Sequence, residues 1–398
     1  MPTALIYSPG FDGHRQVYVF VFTHILKGLG YNIVIAGFQN ESFENSFYLS
    51  KIRNDRSIAF VDTKSYNGNG LAITPEEFIQ LQESVGADLT IFTEADNHIS
   101  LLSSQTGIKA KKFKGRITGI FLRPFFYYQQ RSWIDRLKYL KNLPLNWRAD
   151  AEFFHRRLLM HCKIMDSALY IDEKFAGTNS RVYTGIPDVF QQYAESLLKE
   201  SKPEDQEWVS KLEEFLMRNP NRFVLFYFGT AQVRRGYEQL VRLAVEHDAS
   251  FIHCGLQDEK ATGSNEIHAL KQKLKDQDRL FETNQYLSDP ACIERFFRSA
   301  SHIILPYQNF PGSSGIMMQS LEYGIPVLVP DYGIIGYRVK RHKVGFTYNP
   351  QDPNDLEVRF KEFIQTEPSS FKKNIDEFMS SQSVAELHST LVKSITGN

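Results

Sequence analysis

Residues 305–330 read LPYQNFPGSSGIMMQSLEYG and then IPVLVP. A glycine- and serine-rich turn, Pro311-Gly312-Ser313-Ser314-Gly315, opens a run with helical spacing that stops at Gly324, and a short apolar strand follows. Strand, glycine turn, helix, strand aims backbone N–H groups and a helix N-terminus at a phosphate. The motif lies near the C-terminus, where a dinucleotide fold with a single N-terminal site would not put it. Such a chain is expected to be an α/β protein of two domains, with its anionic ligand bound mainly by the second.

The same order of elements repeats along the chain. Residues 4–8 read as a strand, Pro9-Gly10-Phe11-Asp12-Gly13 as a turn, 16–29 as a helix ending at Gly30, and 32–37 as the next strand. Further strands are expected at 57–61, 88–93, 116–122, 168–171 and 180–183, with a turn at Thr184-Gly185-Ile186-Pro187-Asp188. Thr74-Pro75-Glu76-Glu77 predicts a helix start, with threonine as cap and proline in the first turn. The second half restarts with an apolar strand at 223–228, the turn Gly229-Thr230, Arg235-Gly236, and a helix at 237–245. Strands follow at 250–254 (closed by Gly255), 279–282, 302–306 and 326–330, then 333–336, then an edge strand at 344–348, with a helix at 292–300. Strands alternating with helices imply parallel sheets covered on both faces. The polar stretch 191–220 reads as linker and surface helix between a first domain, 1–190, and a second, 221–375, leaving 376–398 as a closing segment.

Composition removes several classes. No stretch approaches the ~20 apolar residues of a membrane span. The opening MPTALIYSPGF has no basic region before an apolar core, so it reads as a first buried strand and not as a signal peptide. Cys162, Cys254 and Cys292 are far apart and odd in number, which argues against a disulfide framework and fits a reducing cytoplasm. They show no metal-ligand spacing, so no metal is expected. Net charge is zero, but residues 108–163 hold 14 Lys or Arg against 3 Asp or Glu, together with 11 aromatics. Three readings fit that segment: a solvated face over packed aromatics, peripheral attachment to anionic lipid at the inner membrane face, and a surface for an anionic or lipid-linked acceptor. No nucleic-acid motif accompanies the charge.

In open α/β sheets ligands bind beyond the carboxyl ends of the strands. Two such sheets facing one another would make a cleft lined by these turns. Gly13 and His14 would approach from the first domain. Gly229, Thr230, Arg234, Arg235, Gly255, Tyr286, Gly312, Ser313, Ser314 and Gly315 would approach from the second. Arg234 and Arg235 follow a strand and can clamp a diphosphate at two points, the alternative being a solvated surface pair. His14 is a polar cap or a ligand contact. Asp96 and His98 are expected on a loop at the cleft rim, where either can assist a hydroxyl acceptor. Arg123 ends a strand and either steadies a departing phosphate or pairs with a carboxylate. His253, next to last in an apolar strand, reads as a satisfied core histidine.

Four stretches, FVLFYFGTAQVRRGYEQLVRLA, SFIHCGLQDE, RLFETNQYLSDPACIERFFRSASHIILPYQNFPGSSGIMMQSLEYGIPVLVP and KVGFTYNPQDPNDL, resemble the donor domain of retaining glycosyltransferase family 4. The first half resembles it through YSPGFDGHRQVYVFVFTHILKGLGYNIVIAG and SRVYTGIPDVF. The resemblance implies the GT-B fold: two Rossmann-like domains facing across a cleft, a nucleotide-sugar donor on the second and a hydroxyl acceptor on the first. It implies hexose transfer with retention, without metal and with no cofactor beyond the sugar nucleotide. Thr230 and Arg235 would face the donor diphosphate, the turn from Gly312 to Gly315 would offer it N–H groups, Tyr286 would lie by the base, and 376–398 would cross back to the first domain. The family's E-x7-E signature is altered. Aligned through Gly324, its glutamates fall on Pro311 and Gln319, with Glu322 three residues on as a substitute on the same helix face. The first-domain histidine expected after 116–122 is replaced by Arg123-Pro124. A nucleotide-sugar epimerase of the same fold and a catalytically silent partner subunit are the alternatives. A nicotinamide dehydrogenase is disfavoured, because no G-x-G-x-x-G opens the first unit.

Overall fold

A computed structural model describes residues 1–398 apart from 65–72, 99–100, 103, 107–111, 123–163, 172–182, 199–205, 286, 288, 309, 311 and 398. Contacts divide the chain into two compact units. Unit 1 is Met1–Leu197 with Ser383–Asn398, and unit 2 is Leu198–Gln382.

Unit 1 is built on a seven-stranded sheet in the order β3-β2-β1-β4-β5-β6-β7. Its strands are β1 (Thr3–Tyr7), β2 (Asn32–Gly37), β3 (Ile58–Asp62), β4 (Leu89–Phe92), β5 (Arg116–Phe121), β6 (Ser167–Tyr170) and β7 (Tyr183–Gly185). Every pairing is parallel. The apolar runs TALIY, LTIF and SALY are the reason: a central parallel strand is covered on both faces and has no polar side to show. The chain lays β2 and β3 to one side of β1 and then returns to place β4 on the other. The order reverses between β1 and β4, which makes their carboxyl ends the topological switch point.

Numbering helices of eight or more residues, α1 (His14–Gly28) is buried from Val17 to Phe22 and again at Ile25 and Leu26, so it is a core helix and not an amphipathic surface one. At α2 (Pro75–Val85), Thr74 caps the first turn and Glu77 reaches back to the Thr74 amide at 2.7 Å, the reciprocal arrangement its sequence predicts. α3 (Phe190–Leu197) packs on α1. The last helix of the chain also docks here. It spans Val384–Thr396, and Arg116 of β5 donates to its Ser394 carbonyl at 3.1 Å. The Ser167 and Ser394 hydroxyls meet at 2.8 Å.

One strand lies further along than its sequence suggests. β7 takes in Thr184 and Gly185, which read as a turn, because they pair with Leu169 and Tyr170 of β6. Residues 180–182 lie outside the described set.

Unit 2 holds two three-stranded parallel sheets, β10-β9-β8 and β11-β12-β13, with β11 beside β8. The strands are β8 (Val224–Phe228), β9 (Ser250–Cys254), β10 (Leu280–Glu282), β11 (Ile303–Ile304), β12 (Val327–Pro330) and β13 (Gly345–Tyr348). The helices are α4 (Gln206–Arg218), α5 (Tyr237–Glu246), α6 (Asn265–Asp276), α7 (Pro290–Arg298), α8 (Gly315–Glu322), α9 (Gly333–His342), α10 (Asp355–Ile364) and α11 (Lys372–Ser380), so the unit 1 helix Val384–Thr396 is α12. The strand order reverses again where β11 meets β8.

Candidate functional site

In unit 2 the loop after β8 is fixed from below by side chains of the strands. The Tyr227 hydroxyl donates to the Thr230 carbonyl at 3.0 Å and accepts from the Gln232 amide at 3.0 Å. Burial pushes this phenol up to about 12, which keeps the donor proton on it. The fully buried His253 meets the Gly229 carbonyl through Nε2 at 3.0 Å. A carbonyl only accepts, so Nε2 carries the proton and Nδ1 accepts from Gln257 at 3.1 Å. Gln257 in turn donates to Glu282 at 2.8 Å, and Lys271 pairs with the same oxygen at 2.7 Å. Burial alone would raise Glu282, but the Lys271 ammonium and the Gln257 amide reverse that and hold it at about 2.

Two glycines permit close backbone approach here. At Gly255, φ is 150° and a Cβ would stand 2.2 Å from the Gly229 carbonyl oxygen. At Gly236, φ is 71° and a Cβ would stand 2.3 Å from the Pro306 oxygen. The loops after β8 and β11 are thereby stitched together. The Gln308 amide donates to the Arg234 carbonyl at 2.8 Å, and the Arg234 guanidinium lies 5.5 Å over the Phe310 ring. Arg235 folds back along its own loop toward the Phe228 carbonyl, 3.5 Å away.

The second loop ends at the N-terminus of α8. Ser314 caps it, its hydroxyl accepting from the Met317 amide at 3.2 Å and meeting the Tyr307 hydroxyl at 3.1 Å. The space over Gly315 is open, with nothing within 4 Å of where a Cβ would stand. The amides of Gly315 and Ile316 lie in the first turn, where no earlier helical carbonyl reaches them. Beneath the turn Arg338 of α9 is fully buried and donates to the Ser313 hydroxyl at 2.6 Å. A buried guanidinium under a helix N-terminus adds full positive charge to the partial charge of the helix end. Gln319 is buried on α8 at 8% exposure, and Glu322, one turn on, is exposed.

Gly229, Thr230, Arg234, Arg235, Gly255, Gly312, Ser313, Ser314, Gly315 and Gln319 thus belong to unit 2, most of them on the two stitched loops. Tyr286 and Arg123 lie outside the described residues, as does Pro311.

In unit 1 the residues after β1 and β4 form a second cluster, at the switch point. Arg15 donates through Nε to Glu94 at 2.6 Å and through Nη1 to Asp12 at 2.7 Å. Asn97 also donates to Glu94, at 2.8 Å. His14, whose side chain is 50% exposed, places Nε2 3.8 Å from the other Glu94 oxygen, and Glu94 itself is only 5% exposed. Burial would raise the Glu94 carboxyl; His14 and Arg15 overturn that and hold it at about 2.

Asp96 and His98 are placed differently from their expected position on a cleft rim. Both are buried at 5% exposure. Asp96 turns inward and accepts from the Leu122 amide at 2.5 Å, which ties down the end of β5. His98 packs edge-on to Tyr7 at 4.9 Å and against Phe92 at 5.3 Å. Burial lowers it to about 4, against the opposing pull of Glu94, so it is a neutral core ring at ordinary pH. Sequence reasoning passed over Arg15, Glu94 and Arg338. Each finds its partner in a different element of the chain, and no local pattern reports that.

Among the described residues no three His, Cys, Asp or Glu side chains gather as a metal site, and no helix is long and apolar enough to cross a membrane.

No protein-family model matches this sequence, and no curated protein matches it. Solved structures do. The chain is similar to Alr3699/HepE from Anabaena, solved in complex with UDP, at TM-score 0.65 and 13% identity over 100% of both chains. It is similar to WaaG, a glycosyltransferase involved in lipopolysaccharide biosynthesis, at TM-score 0.60 and 13% identity over 100% of both chains. It is also similar to the UDP-GlcNAc 2-epimerase from Neisseria meningitidis bound to UDP-GlcNAc, at TM-score 0.59 and 12% identity over 100% of both chains. The chain has the fold these proteins share, GT-B, with two Rossmann-like halves.

Proposed function

We propose that this chain is a glycosyltransferase that moves a hexose from a nucleotide-diphosphate sugar to a hydroxyl acceptor, with the donor diphosphate held by unit 2. The observation that carries the reading is the pair of stitched loops after β8 and β11. They present Arg235 and the first-turn amides of Gly315 and Ile316 at one switch point, with the buried Arg338 of α9 held beneath them on Ser313. Sugar transfer from a nucleotide builds its largest new charge on the departing diphosphate, and preorganised donors there lower the barrier most. These groups supply that charge without a divalent cation. A uridine nucleotide is favoured, since HepE was solved with UDP and with UDP and glucose, and the epimerase with UDP-GlcNAc. Gln319 would accept one ribose hydroxyl bond in place of a signature glutamate.

The transfer proposed is a retaining one: the acceptor attacks from the face the diphosphate leaves, and the leaving phosphate helps to take the acceptor proton. A thermal-shift series with UDP, GDP and ADP tests donor binding. At 100 times its dissociation constant the true ligand adds ~2.7 kcal/mol to stability, and no shift with any of the three removes the reading. The epimerase reading has its own support in the fold shared with a UDP-GlcNAc 2-epimerase. Incubation with sugar nucleotide and no acceptor separates the two, because only an epimerase then makes an isomeric sugar nucleotide.

A further inference from the structure

We infer that unit 2 carries a second ligand site, for a small phosphate monoester, in a cavity at the free edge of the sheet β11-β12-β13. The cavity measures about 330 Å³ and opens to solvent, a volume at the lower end of the range for small-molecule sites. Three elements wall it. The end of α9 brings Lys340 and Lys343, and the edge strand β13 brings Gly345 to Thr347. The turn into α11 brings Ser370 and Phe371, with Asn374 in the first turn of that helix. This is not the donor site. Lys343 and Gly345 stand at the amino end of β13, and β11, β12 and β13 run parallel. The loop into α8 follows the opposite, carboxyl end of β11. Binding in the cavity does not depend on sugar transfer.

The walls are rich in hydrogen-bond donors. The Val344 carbonyl accepts from the Val327 amide at 3.3 Å, and the Tyr348 carbonyl accepts from the Asp331 amide at 2.8 Å. Alternate residues of a parallel strand bond the same neighbour, so Val344, Phe346 and Tyr348 turn to β12. Gly345 and Thr347 turn their amides and carbonyls the other way, to the cavity. Thr347 and Ser370 add hydroxyls. Asn374 donates to the Lys343 carbonyl at 3.1 Å, which ties the end of α9 to α11. The lining side chains include two ammonium groups and no carboxylate. Lys340 is shared with Asp331 at 3.2 Å. Lys372 and Lys373 pair along α11 with Asp376 and Glu377. Among the described residues Lys343 has no ion pair.

The backbone of Lys343 is an independent sign. It ends α9 in the left-handed conformation, with φ 54° and ψ 40°. The other non-glycine residues described with positive φ are Asn221, Asp248, Asp278 and Asn284, types that tolerate it. Glycine is the usual residue at such a helix end, because a Cβ is penalised there. A lysine kept in that conformation beside a donor-lined cavity costs stability, and residues of this kind gather at ligand sites. Donors converging from three elements suit an ion with three acceptor oxygens better than a flat carboxylate. The cavity has room for more than the ion. Phe346 and Phe371, with ring centroids 5.9 Å apart, offer apolar surface to the organic part of an ester. An added β-strand is disfavoured, because Ser370 and Asn374 stand across the cavity from the edge.

The probe is glucose 6-phosphate, titrated calorimetrically into the full chain, with inorganic phosphate and glucose as comparisons. Saturable binding of glucose 6-phosphate is expected, with at least about tenfold weaker binding of inorganic phosphate and none of glucose. Lys343→Gly is expected to weaken glucose 6-phosphate at least about tenfold while Tm holds or rises, since glycine suits that φ. Lys343→Gln, which keeps the stem and removes the charge, is expected to weaken it several-fold. Arg235→Ala, in the donor loops, is expected to bind it as the wild type does. No binding of glucose 6-phosphate to the wild type, equal binding of ester and inorganic phosphate, or undiminished binding in both Lys343 variants would each overturn the site. Loss of binding in Arg235→Ala would overturn it too, by moving the ester to the donor loops.

Discussion

Each unit ends its strands in loops at a point where the strand order reverses, and among the described residues the two points gather different side chains. In unit 2 the loops after β8 and β11 gather Arg234, Arg235, the buried Arg338 and the start of α8. Among the described residues of unit 1 the loops after β1 and β4 carry Asp12 and Glu94, both paired with Arg15, and Asp96, which holds the Leu122 amide. The same parallel-sheet frame therefore carries arginines and the open start of α8 in one half and buried carboxylates in the other. Strands fix where a ligand arrives, and a few non-local side chains fix what sign of ligand is welcome.

The sharpest way to break this contrast is to remove one cation from each unit. Arg235→Ala is expected to lower donor turnover about 10²–10³-fold, the usual cost of losing one donor to a developing oxyanion, with the melting temperature little changed. Arg15→Ala is expected to leave UDP affinity as it is, because its partners are Asp12 and Glu94. A fall in UDP affinity with Arg15→Ala would erase the difference between the halves.

Acid titration tests both networks at once. Glu94 and Glu282 have folded values near 2 against an ordinary 4.5. A depressed carboxylate contributes stability that is fully present above its unfolded value and lost as pH falls through the folded one. Each is expected to give up on the order of 3 kcal/mol between about pH 5 and pH 2. Denaturant melts across that range, repeated on Glu94→Gln and Glu282→Gln, check the expectation. A flat profile would mean that neither carboxylate is held as described.

Backbone effects are smaller. Gly255→Ala places a methyl against the Gly229 carbonyl and is expected to cost about 1–3 kcal/mol and to weaken UDP binding through that loop. Ser314→Ala, which removes the cap of α8, is expected to cost about 1 kcal/mol. The matching change in unit 1, Thr74→Ala at α2, is expected to cost about the same in stability and nothing in UDP affinity. Chemical melts and UDP titrations of the three variants rank them.

What the sequence made legible was local. The apolar runs at β8, β9 and β12 announce buried parallel strands, and the glycine turns after β8 and before α8 announce themselves by composition. Thr74 and Glu77 announce the start of α2. The charge networks were not legible, because their partners are remote. Arg15 and Glu94 are 79 residues apart, and either one alone reads as a solvated loop charge. α9 was hidden by Gly333 and Gly336, which lower helical propensity in its first turns, and with it went Arg338. His98 shows the reverse error: a polar residue after a strand looks like a rim group, and Tyr7 and Phe92 close over it.

The proposed donor site puts the diphosphate on the loops of unit 2 and not on the start of α1. Calorimetric titration of UDP into the wild type, Arg235→Ala and His14→Ala tests it directly. Binding to the wild type, at least about tenfold weaker binding to Arg235→Ala, and wild-type affinity in His14→Ala are expected. Undiminished affinity in Arg235→Ala, or lost affinity in His14→Ala, would contradict it.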